Sequence, residues 1–208
     1  MIRIIDELNN ITPRVIPAEE YFADMDLDEE QIEKRIEYTK KANEIFDLIL
    51  VLLLTMREDG YYEYDYVFDS LQARLTVLIN EYSVLDTYLI EYISELSDTF
   101  IEVTKNHIDE AWYLSEERSL FNAENSANDV FNFNEYKDAI RSGKKRKTWI
   151  TERDKRVRDT HREVDGKEIP IMDFFTVGGV KMRFPKDMEY AFDVPRETVN
   201  CRCTIKYF

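Results

Sequence analysis

The last nine residues, Asn200 to Phe208, read NCRCTIKYF. Cys201, Cys203, Ile205 and Tyr207 alternate with Arg202, Thr204 and Lys206, which is the two-residue period of a strand with one face toward a core. Val180, Met182 and Phe184 alternate with Lys181 and Arg183 in the same manner. Upstream the punctuation changes. No proline lies between Pro17 and Pro170, and the only glycines before Gly166 are Gly60 and Gly143, whereas Gly166, Gly178, Gly179, Pro170, Pro185 and Pro195 crowd into the tail. A helical body followed by a small strand-containing region follows from that contrast.

Within the body, Asp28 to Arg57 begins with acidic residues and spaces Ile45, Ile49, Leu52 and Met56 by helical intervals, so it reads as a helix buried on most sides toward its end. Gly60 breaks it. Leu71, Leu75, Leu78, Tyr82, Leu85, Leu89, Tyr92 and Leu96 then form a heptad-like stripe, which predicts a second helix zipped against the first in an antiparallel hairpin. The tyrosine-rich stretch from Tyr61 to Phe68 alternates like a strand but, flanked by helices, reads as the start of that second helix. A third helix, about Ile108 to Ile140, is rich in asparagine, a poor helix former that often makes side-chain contacts. The expected fold class is α+β: a long helical hairpin or bundle over residues 1–140, then a small C-terminal domain with an antiparallel sheet over residues 141–208.

The chain has 208 residues, of which 44% are apolar, enough for a real core. The longest uncharged apolar run, Leu48 to Met56, is about half of the roughly twenty residues needed to span a bilayer, so no membrane partner is expected. The N-terminal stretch lacks the pattern of a secretory signal. Two cysteines make no disulfide framework, and a reducing compartment is the default. The net charge of −15 is unevenly spread. Residues 1–140 carry net −21, residues 163–208 carry net −1, and residues 141–162 hold ten Lys/Arg against three Asp/Glu, net +7.

That basic segment, RSGKKRKTWITERDKRVRDTHR, offers Lys144, Lys145, Arg146, Lys147, Arg153, Lys155 and Arg156 to phosphates, with Trp149 to pack or stack, and makes DNA a candidate partner. The plainer reading is a solvated connector whose arginines pair with the acidic body. His161 is the candidate for acid–base chemistry, with Arg158 beside it in a nuclease- or toxin-like centre. No nucleophile, phosphate loop or acidic metal cluster accompanies it. Asp154, Arg158 and His161 at i, i+4 and i+7 would share one helix face, as in a structural network, and that role is preferred to catalysis. His161, Cys201 and Cys203 are also three ligands of the kinds zinc accepts. In a regular strand residues i and i+2 stand about 6.6–7 Å apart, whereas two sulfurs on one zinc lie within about 4 Å. Both cysteines bind only if the strand begins after Cys201 or the side chains lean together. Two small buried residues facing inward with Ile205 and Tyr207 remain the preferred alternative, and a disulfide between them is the least favoured.

The order Lys147-Thr148-Trp149, Thr151, Asp154 to Arg158, His161, Asp165-Gly166, Phe174-Phe175, the Pro185-Lys186-Asp187 turn and VNCRC from Val199 to Cys203 resembles the phage Mu protein F-like (MuF) family of minor head, or head morphogenesis, proteins. SEERSLFNAENSAND, Ser115 to Asp129, is similar to the helical lead-in of that family. The resemblance covers roughly the last 95 residues and rests chiefly on Trp149, Asp154, Arg158, His161, Asp165, Gly166, Cys201 and Cys203. Some relatives in that family place a cysteine where His161 stands and a histidine where Thr198 stands, so the resemblance implies a fourth side-chain metal ligand that is missing here. The resemblance implies a non-enzymatic protein of a tailed phage or prophage, inside the virion head, and in the host cytoplasm during assembly. Its implied partners are the portal or other head proteins, with packaged DNA a further one.

Overall fold

The computed structural model describes residues 16–208. The stretch read above for a targeting signal, and the first fifteen residues of the expected helical part, lie outside them. The described residues group into two compact units, one of residues 16–18 and 36–126, the other of residues 19–35 and 127–208. The asparagine-rich helix, assigned from sequence to the helical part, thus gives residues 127–141 to the unit that carries the strands. No helix among the described residues is long and apolar enough to cross a membrane.

The helices are α1 (Ala18–Ala23), α2 (Glu29–Asp59), α3 (Tyr64–Tyr82), α4 (Thr87–Asn106) and, after a 3-10 turn (Ala111–Leu114), α5 (Glu116–Arg141). The two isolated glycines end helices. Gly60, at φ +67°, donates to the Arg57 carbonyl at 3.3 Å while the Tyr61 N–H reaches the Met56 carbonyl at 3.2 Å, closing α2 in a Schellman motif. Gly143, at φ +76°, closes α5 with the same pair of bonds, to Ile140 and from Lys144 to Ala139.

The heptad-like stripe is not one helix. Ser83 is extended, and the Asp86 carboxylate accepts from the Leu89 N–H at 3.2 Å to cap a new helix, so α3 and α4 pack on each other where a single second helix was expected. In α2, Phe46, Ile49, Leu50 and Leu53 are buried, but Leu48 and Val51 are exposed, so the apolar run is one-sided instead of surrounded. Phe46 meets Phe100 of α4 with ring centroids 4.8 Å apart, and Tyr38 hydrogen-bonds Ser126 of α5 at 2.8 Å. Arg118 of α5 is buried and donates to the Phe100 carbonyl (3.1 Å), the Tyr113 carbonyl (2.8 Å) and the Thr104 hydroxyl, tying α4, the 3-10 turn and α5 through one guanidinium. Its burial lowers the pKa to about 9.

The second unit holds a three-stranded antiparallel sheet in the order β2–β1–β5, with β1 (Arg146–Ile150) between β2 (Glu168–Pro170) and β5 (Thr204–Tyr207). The register places Trp149 opposite Ile205 and Lys147 opposite Ile169. β3 (Phe175–Val177) and β4 (Val180–Met182) form a separate hairpin, and the short helices α6 (Asp159–Arg162), α7 (Met188–Ala191) and α8 (Pro195–Thr198) fill the connections. α5 backs this unit through its polar residues. Asn128 donates to the Tyr21 hydroxyl and the Cys201 carbonyl, Asn132 to the Pro185 carbonyl at 3.2 Å, and Asp129 pairs with Lys186 at 3.2 Å.

Candidate functional site

The basic segment is divided by β1. Lys144 and Lys145 are exposed in the turn before the strand, and Arg153, Lys155 and Arg156 are exposed after it, beyond a strand that advances about 3.3 Å per residue. Between them Lys147 points inward. Its side chain is fully buried, its Nζ donates to the Arg183 carbonyl at 2.7 Å, and the ammonium lies 5.1 Å and 5.4 Å from the ring centroids of Tyr136 and Phe175. Burial lowers its pKa to about 8. Lys147 is therefore not presented to a phosphate, because the strand alternation that buries Trp149 also buries its neighbour two residues earlier. Arg146 pairs with Glu168, Arg153 with Asp165 at 2.8 Å and Arg156 with Asp154 at 3.0 Å. Lys144, Lys145 and Lys155 have no ion-pair partner among the described residues.

The signature residues are brought together as structure. Trp149 has no exposed surface and stands edge-on to His161 and Phe175, with ring centroids 5.9 Å and 5.2 Å away. Asp165 accepts from the Thr151 N–H at 2.9 Å, and the Gly166 N–H donates to the Trp149 carbonyl at 2.8 Å, so the Asp-Gly turn is clipped to the end of β1. Gly166 sits at φ +72°, a conformation glycine adopts without strain.

Asp154, Arg158 and His161 do not share a helix face. Arg153 takes φ +54°, Asp154 lies in a turn, Arg158 is the residue before α6, and only His161 is in that one-turn helix. Asp154 caps its own turn through the Arg156 N–H at 2.8 Å and also pairs with Arg202. Burial opposes its ionisation, but the bonds from Arg202 and Arg156 prevail and hold its pKa at about 2. Arg158 donates to the Val199 carbonyl. The three residues thus bind the loop before α6 to the segment before β5.

That segment differs from the strand expected there. β5 starts at Thr204, and Asn200 takes φ +54°, so Cys201 and Cys203 precede the ladder and do not continue the alternation of Ile205 and Tyr207. Both are buried free thiols. The irregular backbone lets both sulfurs approach one atom: Nδ1 of His161 is 3.3 Å from Cys203 Sγ and 3.6 Å from Cys201 Sγ. The three donor atoms all lie within 4.8 Å of one another. The Cys201 thiol is held well below its usual pKa by its hydrogen bond with Cys203, joined by the bond and charge of His161. Cys203 is pushed up by Cys201 and by burial. Burial alone would lower His161, but its bond to Cys201 raises it.

The opposite edge of the imidazole was not anticipated. Nε2 of His161 faces Oε2 of Glu197 at 3.3 Å, both side chains being buried, and the Thr160 hydroxyl donates to the same oxygen at 2.8 Å. Gly178 makes room for that carboxylate, since a Cβ there would stand 2.2 Å from Glu197 Oε1. Thr198 is buried beside it. A carboxylate 36 residues from its histidine carries no spacing signal; only the paired glycines Gly178-Gly179 marked the neighbourhood. A small cleft of about 20 Å³ adjoins the group, lined by His161, Cys201 and Cys203 with Glu152, Arg158 and Arg202 among others.

A stretch of 59 residues is 42% identical to the NAD(+)--arginine ADP-ribosyltransferase EFV of Enterococcus faecalis (strain ATCC 700802 / V583), covering 28% of this chain and 11% of that enzyme. The chain thus spans about a tenth of the length of the curated relative it matches. No solved structure matches. The family described as phage Mu protein F like protein matches residues 95–206, more than half of the chain and all of the signature residues described above. The chain belongs to the phage Mu protein F-like family.

Proposed function

We propose that this protein is a non-enzymatic component of phage head morphogenesis that docks on the portal or another head protein through its helical unit. Family membership supports a phage-head role. The observation that carries the docking reading is a set of apolar side chains standing out from residues 36–126: Val51, Tyr61, Tyr66, Val77, Val84 and Ile90 are each more than half exposed. Val77 also lines an open groove of about 520 Å³ between α2 and α3, bordered by Lys41, Glu44, Arg74 and Glu81. Apolar side chains rimmed by charges in this way suit a protein partner.

A contact with packaged DNA rests on the exposed Lys144, Lys145 and Lys155. It is a narrower footprint than the seven basic residues offered by the sequence. Neutralising these three should weaken salt-sensitive DNA retention, and retention unchanged by the triple variant would remove DNA from the account. A nuclease-like centre on His161 and Arg158 has less to stand on: His161 is 1% exposed with both ring edges facing protein groups, and Arg158 is held by a backbone carbonyl. A match covering a tenth of an ADP-ribosyltransferase supports no transferase activity here. The direct test is co-purification of the chain with the portal protein made beside it. Binding should survive His161→Ala variants that remain folded and be lost on Val77→Asp with Ile90→Asp.

A further inference from the structure

We propose that His161, Cys201 and Cys203 hold a zinc ion, with His161 oriented by Glu197. The first argument is distance. With Zn–N about 2.0–2.1 Å and Zn–S about 2.3 Å in a tetrahedron, the nitrogen should lie about 3.6 Å from each sulfur. Nδ1 is 3.3 Å from one sulfur and 3.6 Å from the other. The second is valence: one imidazole nitrogen carries one in-plane hydrogen or one lone pair, so it satisfies a single sulfur well. Two sulfurs converging on it are what a cation between the three atoms produces.

The third argument is the far side of the ring. A metal-bound histidine regularly gives its other N–H to a carboxylate, which fixes the tautomer and raises ligand basicity. Glu197 stands on that side, its Oε2 3.3 Å from Nε2 without the alignment of a full hydrogen bond, is itself held by Thr160, and takes space that a Cβ at residue 178 would contest. A buried carboxylate set there by three separate segments is a costly arrangement for a plain core histidine. The fourth coordination position adjoins the cleft of about 20 Å³, which has room for one water. Two thiolates and an imidazole select zinc over calcium or magnesium. The ion would tie α6 to the segment leading into β5.

The test uses the full chain, purified without chelator from zinc-supplemented medium. About one zinc per chain is expected by elemental analysis. Cobalt exchanged into the site should show thiolate-to-metal charge-transfer bands. Cys203→Ser should lose both signals. His161→Cys should keep zinc while changing the cobalt spectrum, because a third thiolate replaces the imidazole. Glu197→Gln should weaken zinc binding by about tenfold to a hundredfold, a loss that packing alone would not cause. Chelator should lower the melting temperature of the wild type and leave Cys203→Ser unmoved. Wild-type protein that is folded, contains no zinc and takes up no cobalt overturns the proposal. So does zinc that persists undiminished in folded Cys203→Ser.

Discussion

Replacing Lys147 by methionine separates two uses of a lysine. If its charge served DNA, Lys147→Met would weaken DNA retention; buried under Tyr136 and Phe175, it serves packing. The variant keeps the stem and removes a buried charge, so DNA retention should be unchanged and the melting temperature equal or higher, both read on purified protein. The folded pKa near 8 lies below the ordinary 10.5, so the unfolded chain binds more protons between those values and this group's contribution to stability rises with pH there. Glu124 behaves in the opposite sense. It is 1% exposed, and burial lifts its carboxyl from 4.5 to about 8. Its contribution is full below about pH 4.5 and is lost as pH climbs through about 8. Glu124→Gln should therefore match the wild type in denaturant unfolding near about pH 5 and exceed it near about pH 9; a gap that does not widen with pH contradicts the assignment. Residues of this kind were hard to read from sequence. A lysine in a basic run looks solvated, and the strand period that buries Lys147 shows only once Trp149 is known to face the core.

At the scale of elements, the helix ends were legible wherever local chemistry sets them. Gly60 and Gly143 are left-handed residues in Schellman closures, and an alanine at either must adopt that conformation at about 1–2 kcal/mol. Gly60→Ala and Gly143→Ala should each lower unfolding free energy by about that amount, while Gly60→Asn should cost less. The break between α3 and α4 was hidden because Leu85 and Leu89 continue the stripe across it. The signal was Asp86, three residues before Leu89; Asp86→Ala should cost about 1 kcal/mol as a lost cap. β5 was placed three residues too early, at Cys201 instead of Thr204, because Cys201 and Cys203 fit its alternation. Asn200 in the left-handed region resets the backbone there, and nothing in the apolar pattern reports a backbone reset. The asparagines of α5 were marked as contact makers by type, yet their partners, the carbonyls of Cys201 and Pro185, are set by tertiary packing.

For the whole molecule, the α+β class followed from glycine and proline placement and from the change of period, and the family from the order of the signature residues. The structure gives those residues a common purpose. Trp149, Asp154, Arg158, Asp165 and Gly166 bind β1, α6 and the segment before β5 into one unit around His161 and the two cysteines. The acidic net charge concealed the exposed apolar side chains of residues 36–126, because Val51, Val77, Val84 and Ile90 lie among many acidic residues in the sequence. The central claim is that these side chains attach the chain to a phage head. The most direct measurement is quantitative mass spectrometry of heads purified from the producing host, with wild-type chain and with folded Val77→Asp/Ile90→Asp. The account predicts the wild-type chain in purified heads at constant stoichiometry and its depletion in the variant. Heads that lack the wild-type chain while it accumulates free in the lysate would contradict it.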